Sequence, residues 1–132
     1  MTDSIPREGW IPSRSDVEGC WLALLAGTTS RREVHDWAEQ WVGDEEDRIH
    51  DPMVRAALQR LHGFDLVADS ERPGVVRHGS SQEYIWSLDE IENELQSWQA
   101  KCARYDSDPQ EYRRVMRERL RAYIENPEAG DY

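Results

Sequence analysis

An imidazole and a carboxylate one helical turn apart are the clearest chemical feature of this sequence. His35 and Glu39 stand four residues apart, with Asp36 between them, in a stretch whose apolar residues recur at helical spacing. Such a pair can hold a divalent metal ion. No third ligand is evident from the sequence, so we expect these side chains to face solvent and predict neither a metal site nor a cofactor. A small-ligand or metal-binding enzyme built around His35 and Glu39 is an alternative.

The remaining histidines have no obvious partners in the sequence. His62 precedes Gly63 at a predicted helix end, where a cation near the last carbonyl groups is favoured by the helix dipole. His50 precedes a predicted helix cap, and His78 falls in a polar loop. The chain contains no GxSxG, HExxH, Walker, GxGxxG or CxxC motif. We therefore predict that the protein is not an enzyme.

The two cysteines, Cys20 and Cys102, lie on apolar faces of predicted helices. We interpret them as buried thiols in a reducing cytosol, and a disulfide or a shared metal ion as less favoured alternatives. The first residues include no apolar signal region, and no run of about 18 apolar residues occurs. We expect a cytoplasmic protein.

Helix capping signals and apolar periodicity predict a mainly α fold. Ser30 with Glu33, and Ser87 with Glu90, form capping-box patterns, and two Asp-Pro pairs provide an N-cap followed by proline in the first turn. We predict a single-domain bundle of about five helices over residues 15–125, with an irregular arm at 1–14 and a flexible acidic tail at 126–132. The arm is expected to dock Trp10 on the domain. The helices are predicted to begin at the caps Ser15, Ser30, Asp51, Ser87 and Asp108.

Three short segments have strand propensity, and one helix has a long apolar seam. Residues 64–68, 75–76 and 84–86 predict a two- or three-stranded antiparallel patch against the helices, and the polar segment 69–81 is an expected loop. Leu88, Ile91, Leu95, Trp98, Cys102 and Tyr105 recur at spacings of three and four, as on a helix that lies along another helix. The sequence leaves open whether this seam is internal or an interface. The first two helices are expected to pack through Trp21, Trp37 and Trp41.

The formal net charge of −11 and the isoelectric point near 4.7 indicate which class of partner to expect. Affinity for nucleic acid depends largely on Lys and Arg that displace counterions from phosphates, so we predict no nucleic-acid partner and expect a basic protein instead. An acidic surface that only maintains solubility is the alternative. The last predicted helix is an exception, since residues 113–121 contain five arginines and one glutamate. These arginines either neutralise acidic neighbours or form a surface of opposite sign.

One group of proteins shares part of this pattern. The matching residues are Arg32-Glu33-Val34, Trp37-Ala38, Trp41-Val42, Asp51-Pro52, Val54, Ala57-Leu58, Leu61, Gly63, Asp65-Leu66, Tyr84 and 87–91. Over about half its length the chain thus resembles small acidic actinobacterial proteins of unknown function, which are similar to immunity proteins against polymorphic toxins. The resemblance implies a small, single-domain inhibitor.

We therefore predict a non-catalytic cytoplasmic binding protein of the immunity type, whose acidic surface blocks a cationic toxin such as a nuclease. The predicted contact residues are Asp36, Glu39, Asp44, Glu45, Glu46 and Asp47, with Tyr84 and Trp86 as exposed aromatic anchors. The alternative is a helical structural or regulatory protein that self-associates through the seam from Leu88 to Tyr105.

Overall fold

Five helices and one β-hairpin make up the fold, as a computed structural model shows for residues 10–43, 48–69, 71–79 and 83–126. The predicted mainly α class with a small antiparallel patch is confirmed. The chain divides into two compact units, of which the first ends at Trp98 and the second begins at Gln99. The elements in chain order are α1 (Arg14–Ala26), α2 (Arg31–Glu39), α3 (Pro52–Gly63), β1 (Leu66–Ala68), β2 (Val76–His78), α4 (Leu88–Ser107) and α5 (Pro109–Glu125).

Each helix begins where a side chain satisfies the free amides of its first turn. Ser30 and Ser87 accept from the backbone N–H of Glu33 and Glu90, and each glutamate accepts in return from the serine N–H. Asp51 and Asp108 are the N-caps of α3 and α5, with proline in the first turn of each helix. The predicted cap of the first helix is wrong by two residues. Ser13 rather than Ser15 caps α1, because Ser13 forms a capping box with Asp16.

Aromatic rings form the centre of the first unit. The buried Trp21 ring lies 5.6 Å from Phe64 and 5.7 Å from Trp98. Both indoles are also hydrogen-bonded, since Trp21 Nε1 donates to the Ile91 oxygen and Trp98 Nε1 donates to the Met53 oxygen. These bonds join α4 to α1 and α3.

Trp41 belongs to a second aromatic group at the end of α2. Its ring lies 5.0 Å from Trp37 and 5.5 Å from Trp10, so the predicted docking of the N-terminal indole is confirmed. The expectation that Trp21, Trp37 and Trp41 pack together is replaced by these two groups. The predicted boundaries of the arm and the tail stay predictions, and residues 1–9 and 127–132 lie outside the described part of the chain.

The hairpin follows directly after α3. Strands β1 and β2 pair antiparallel, with Leu66 opposite His78, Val67 opposite Arg77 and Ala68 opposite Val76. A single bridge from Val67 to Tyr84 adds the third extended segment. The second strand thus begins one residue later than predicted and includes His78, which the polar sequence around it assigns to a loop.

The predicted seam of α4 is buried in its first half. Ile91, Leu95 and Trp98 are buried, Leu88 is exposed, and Cys102 and Tyr105 are half-buried. In the second unit the Tyr105 and Tyr112 rings lie 5.3 Å apart at a right angle, and no residue of α5 is buried. Every helix in the described residues is too short or too polar to cross a lipid bilayer.

Candidate functional site

Three of the four histidines of the chain meet at one place in the first unit. His35 is on α2, His62 is in the last turn of α3, and His78 ends β2. One ligand atom from each imidazole lies within 4.8 Å of those of the other two. The ring centroids are 4.2 Å apart for His35 and His62, 4.3 Å for His35 and His78, and 4.8 Å for His62 and His78. We call these three residues the histidine cluster.

Local geometry explains how each side chain reaches the cluster. Helices α2 and α3 pack against each other, which brings His35 beside the C-terminal turn that carries His62. The hairpin starts three residues after α3 ends, and its register places His78 opposite Leu66. The Gly79 amide donates to the Asp65 oxygen at 3.3 Å, so β2 ends next to Asp65.

Hydrogen bonds orient two of the three imidazoles. The Nδ1 of His35 lies 2.9 Å from the backbone oxygen of His62, and the Nδ1 of His78 lies 2.6 Å from Oδ1 of Asp65. A backbone carbonyl only accepts hydrogen bonds, as does an ionised carboxylate, so we assign the Nδ1 proton to both rings. Nε2 of His78 then carries the lone pair. Asp65 is 1% exposed and also lies 3.5 Å from Nδ1 of His35.

A second carboxylate faces the cluster from α2. Glu39 Oε1 lies 2.7 Å from Nε2 of His35 and 3.4 Å from Nε2 of His62. Burial lowers the pKa of His62, and the neighbouring His35 and His78 lower it further, whereas Glu39 acts in the opposite direction. Imidazole binds metals in its neutral form. Three imidazoles with an adjacent carboxylate are donors that suit Zn²⁺ and related divalent ions.

The structure corrects three expectations about histidine. His35, expected to face solvent, is buried at 9% exposure. The His62 ring, expected to meet the last carbonyl groups of its own helix, instead contacts His35, His78 and Glu39. His78, for which the sequence indicates no partner, bonds to Asp65. The pairing of the segments on either side of the Pro73-Gly74 turn is the one sequence signal that could have placed His78 beside Asp65.

The predicted contact residues occupy different environments. Asp36 and Glu39 are exposed on α2, while Asp44, Glu45, Glu46 and Asp47 lie outside the described residues. The two aromatic anchors are half-buried rather than exposed. Arg31 lies over the Tyr84 ring at 4.1 Å, and its Nη1 donates to the backbone oxygens of Trp86 and Phe64. Arg31 therefore holds the segment with Tyr84 and Trp86 against the end of α3.

The arginines of α5 form a second candidate surface. Arg113, Arg114, Arg117, Arg119 and Arg121 are all exposed. Arg114 pairs with Glu118 of the same helix at 3.1 Å, and both side chains are more than half exposed. Such an exposed pair contributes little stability, and the surface of α5 remains locally basic.

No curated protein and no solved structure matches the chain at a significant level. A family model described as YxzC DNA-binding protein matches residues 15–98. This finding overturns the predicted toxin-inhibitor function and the prediction that no nucleic acid is bound. These predictions are wrong because they rested on net charge, which is a sum over the whole molecule, whereas phosphate binding depends on local charge. The match extends over more than half of the sequence, and the chain therefore belongs to the YxzC DNA-binding protein family.

Proposed function

We propose that this protein is a non-catalytic DNA-binding protein that contacts the phosphate backbone through the arginines of α5. Membership in a family described as DNA-binding carries the DNA-binding part of the proposal, and the exposed arginines carry the choice of α5. Arg113, Arg117, Arg119 and Arg121 are exposed, and arginine pairs well with phosphate because its planar guanidinium donates two parallel hydrogen bonds. A cytoplasmic location, in the same compartment as the DNA, is part of the proposal.

Charge distribution supports α5 as the contact surface. The family match ends at Trp98, so α5 lies outside the matched segment. The matched segment nevertheless contains most of the acidic residues, including the run from Glu33 to Asp51 with eight acids and one arginine. A run of acidic residues repels a phosphate backbone. We therefore assign the electrostatic part of DNA affinity to α5.

The segment that matches the family model offers an alternative DNA-binding surface. Its order of three helices followed by an antiparallel hairpin is that of a winged helix-turn-helix domain, in which the third helix enters the major groove. On α3, Ala56, Gln59 and Arg60 are exposed, and Arg77 is exposed on β2. However, Arg60 pairs with Glu94 at 3.1 Å, and the segment 40–51 between α2 and α3 is longer than the three or four residues of a helix-turn-helix turn. This fold analogy supports DNA binding less directly than charge does.

Fluorescence anisotropy with labelled duplex DNA at several salt concentrations tests the proposal. We expect log K to fall linearly with log salt for the wild type. Replacing Arg113, Arg117 and Arg121 together by Gln should weaken binding and reduce the magnitude of the slope by roughly 0.9 for each phosphate that is no longer neutralised.

Three further variants locate the contact. Arg32→Gln is the matched control, because Arg32 is also exposed but lies 3.7 Å from Asp36 on the acidic α2. It should leave affinity and slope unchanged. A loss of affinity in Arg60→Gln or Arg77→Gln, with the triple α5 variant unaffected, would move the contact to α3 and the hairpin. Absence of salt-dependent binding by the wild type would refute the proposed function.

A further inference from the structure

We propose that the histidine cluster is a binding site for a divalent transition-metal ion of the zinc class, with His35, His62 and His78 as ligands and Glu39 as the fourth. The proposal is independent of the proposed DNA binding. It starts from the convergence of three imidazoles from α2, α3 and β2 within 4.8 Å of one another.

The hydrogen bonds around the cluster are those of an oriented metal site. Histidines that bind metals usually donate their second ring N–H to a carboxylate or a backbone carbonyl, which fixes the tautomer and the ring orientation. His78 makes this bond to Asp65, and His35 makes it to the backbone oxygen of His62. Nε2 of His78 thus remains available for a metal ion, and Nε2 of His35 faces the carboxylate of Glu39.

The position of Glu39 is the second argument. Its Oε1 lies 2.7 Å from Nε2 of His35, and both atoms are hydrogen-bond acceptors when Nδ1 carries the imidazole proton. Two acceptors at this distance repel each other unless a cation lies at the contact. A metal ion held by both atoms would meet this requirement. The same oxygen lies 3.4 Å from Nε2 of His62, so one carboxylate faces two ligands.

Charge and donor type determine the class of ion. Three neutral nitrogens and one carboxylate suit Zn²⁺, Co²⁺ or Ni²⁺, whereas Ca²⁺ and Mg²⁺ prefer oxygen ligands. Tetrahedral zinc at about 2.0 Å from nitrogen places its ligand atoms roughly 3.3 Å apart. The imidazoles, now up to 4.8 Å apart, would therefore draw together on binding. His78 is the most exposed of the three histidines.

Metal titration of the full chain without a polyhistidine tag is the test. We expect the wild type to bind one Zn²⁺ in competition with a chromogenic chelator, and Co²⁺ to produce the intense visible bands of a tetrahedral site. Addition of Ca²⁺ or Mg²⁺ should displace neither ion. His78→Gln should weaken Zn²⁺ binding by at least about tenfold and abolish the Co²⁺ bands.

A matched variant separates the cluster from incidental binding. His50 is exposed and lies outside the cluster, so His50→Gln should bind Zn²⁺ like the wild type. Asp65→Asn tests the orienting bond to His78, and about a tenfold loss of affinity is expected. Circular dichroism identifies any variant that fails to fold. If His78→Gln fails to fold, Glu39→Gln, which alters an exposed side chain, tests the proposed ligands instead. A wild type without stoichiometric Zn²⁺ binding, or equal losses in His78→Gln and His50→Gln, would overturn the proposal.

Discussion

The indole Nε1 of Trp98 donates a hydrogen bond to the backbone oxygen of Met53 at 2.8 Å. This bond joins residues 45 positions apart in the sequence and ties α4 to the first turn of α3. Trp21 on α1 makes a similar bond to the Ile91 oxygen of α4 at 3.1 Å, so the two neighbouring indoles link three helices. A buried indole that bonds in this way buries apolar area, and its hydrogen bond fixes the orientation of the ring.

Trp98→Phe should therefore lower the free energy of unfolding by about 1–3 kcal/mol, since it removes a buried hydrogen bond and part of an aromatic ring. Urea denaturation followed by circular dichroism measures the change. Leu22→Ala is a suitable control, because Leu22 is half exposed and its truncation should cost less than about 0.5 kcal/mol. Equal effects of the two substitutions would show that the indole bond contributes nothing measurable.

Asp51 has two roles that mutation can separate. Its side chain caps α3 by accepting from the Met53 amide at 2.9 Å, and it pairs with Arg14 Nε at 2.8 Å. Asp51→Ala should reduce stability by about 1–2 kcal/mol because the cap is removed. Arg14→Gln retains the cap and should cost less than about 1 kcal/mol, as expected for a partly exposed ion pair. Thermal unfolding compares the two variants, and a larger effect of Arg14→Gln would contradict the assignment to the cap.

The capping box of α2 predicts a pH dependence of stability. A backbone hydrogen bond from Ser30, with further bonds from the Thr29 and Ser30 side chains, lowers the pKa of Glu33 below 4.5. A carboxyl group with a lowered folded-state pKa stabilises the protein at neutral pH, and this contribution is lost as the pH falls below 4.5 through the lower pKa. Denaturation of Glu33→Gln should therefore show a shallower loss of stability over that acid range than the wild type. Identical acid profiles would exclude this role, and Glu18→Gln provides a control on α1.

Cys20 should react slowly in the folded protein. Burial raises the pKa of its thiol from 9.0 to about 11, so the fraction present as thiolate at pH 8 falls by roughly a hundredfold. Alkylation by iodoacetamide, followed at this residue by mass spectrometry, should be slower by at least that factor than in urea. Comparable rates in both conditions would show that the thiol is accessible.

Both cysteines are thiols in the structure. The sequence predicts that both are buried, whereas in the structure both are half-buried.

The helices could be predicted from the sequence because their signals are local. A serine or aspartate cap acts on amides two or three residues away, and an apolar stripe repeats within one helix, so Ser30, Asp51 and Ser87 indicate their helices without any other part of the chain. The error at the first helix is also local, since Ser13 with Asp16 competes with Ser15 for the cap.

Only the tertiary structure assembled the histidine cluster. His35, His62 and His78 belong to three elements, and no spacing within one element relates them. Their meeting depends on the packing of α2 on α3 and on the register of the hairpin, both of which are set by burial and pairing over long distances in the sequence. Composition determined the net charge of −11, but the position of the exposed arginines on α5 is what gives a negatively charged chain a basic surface.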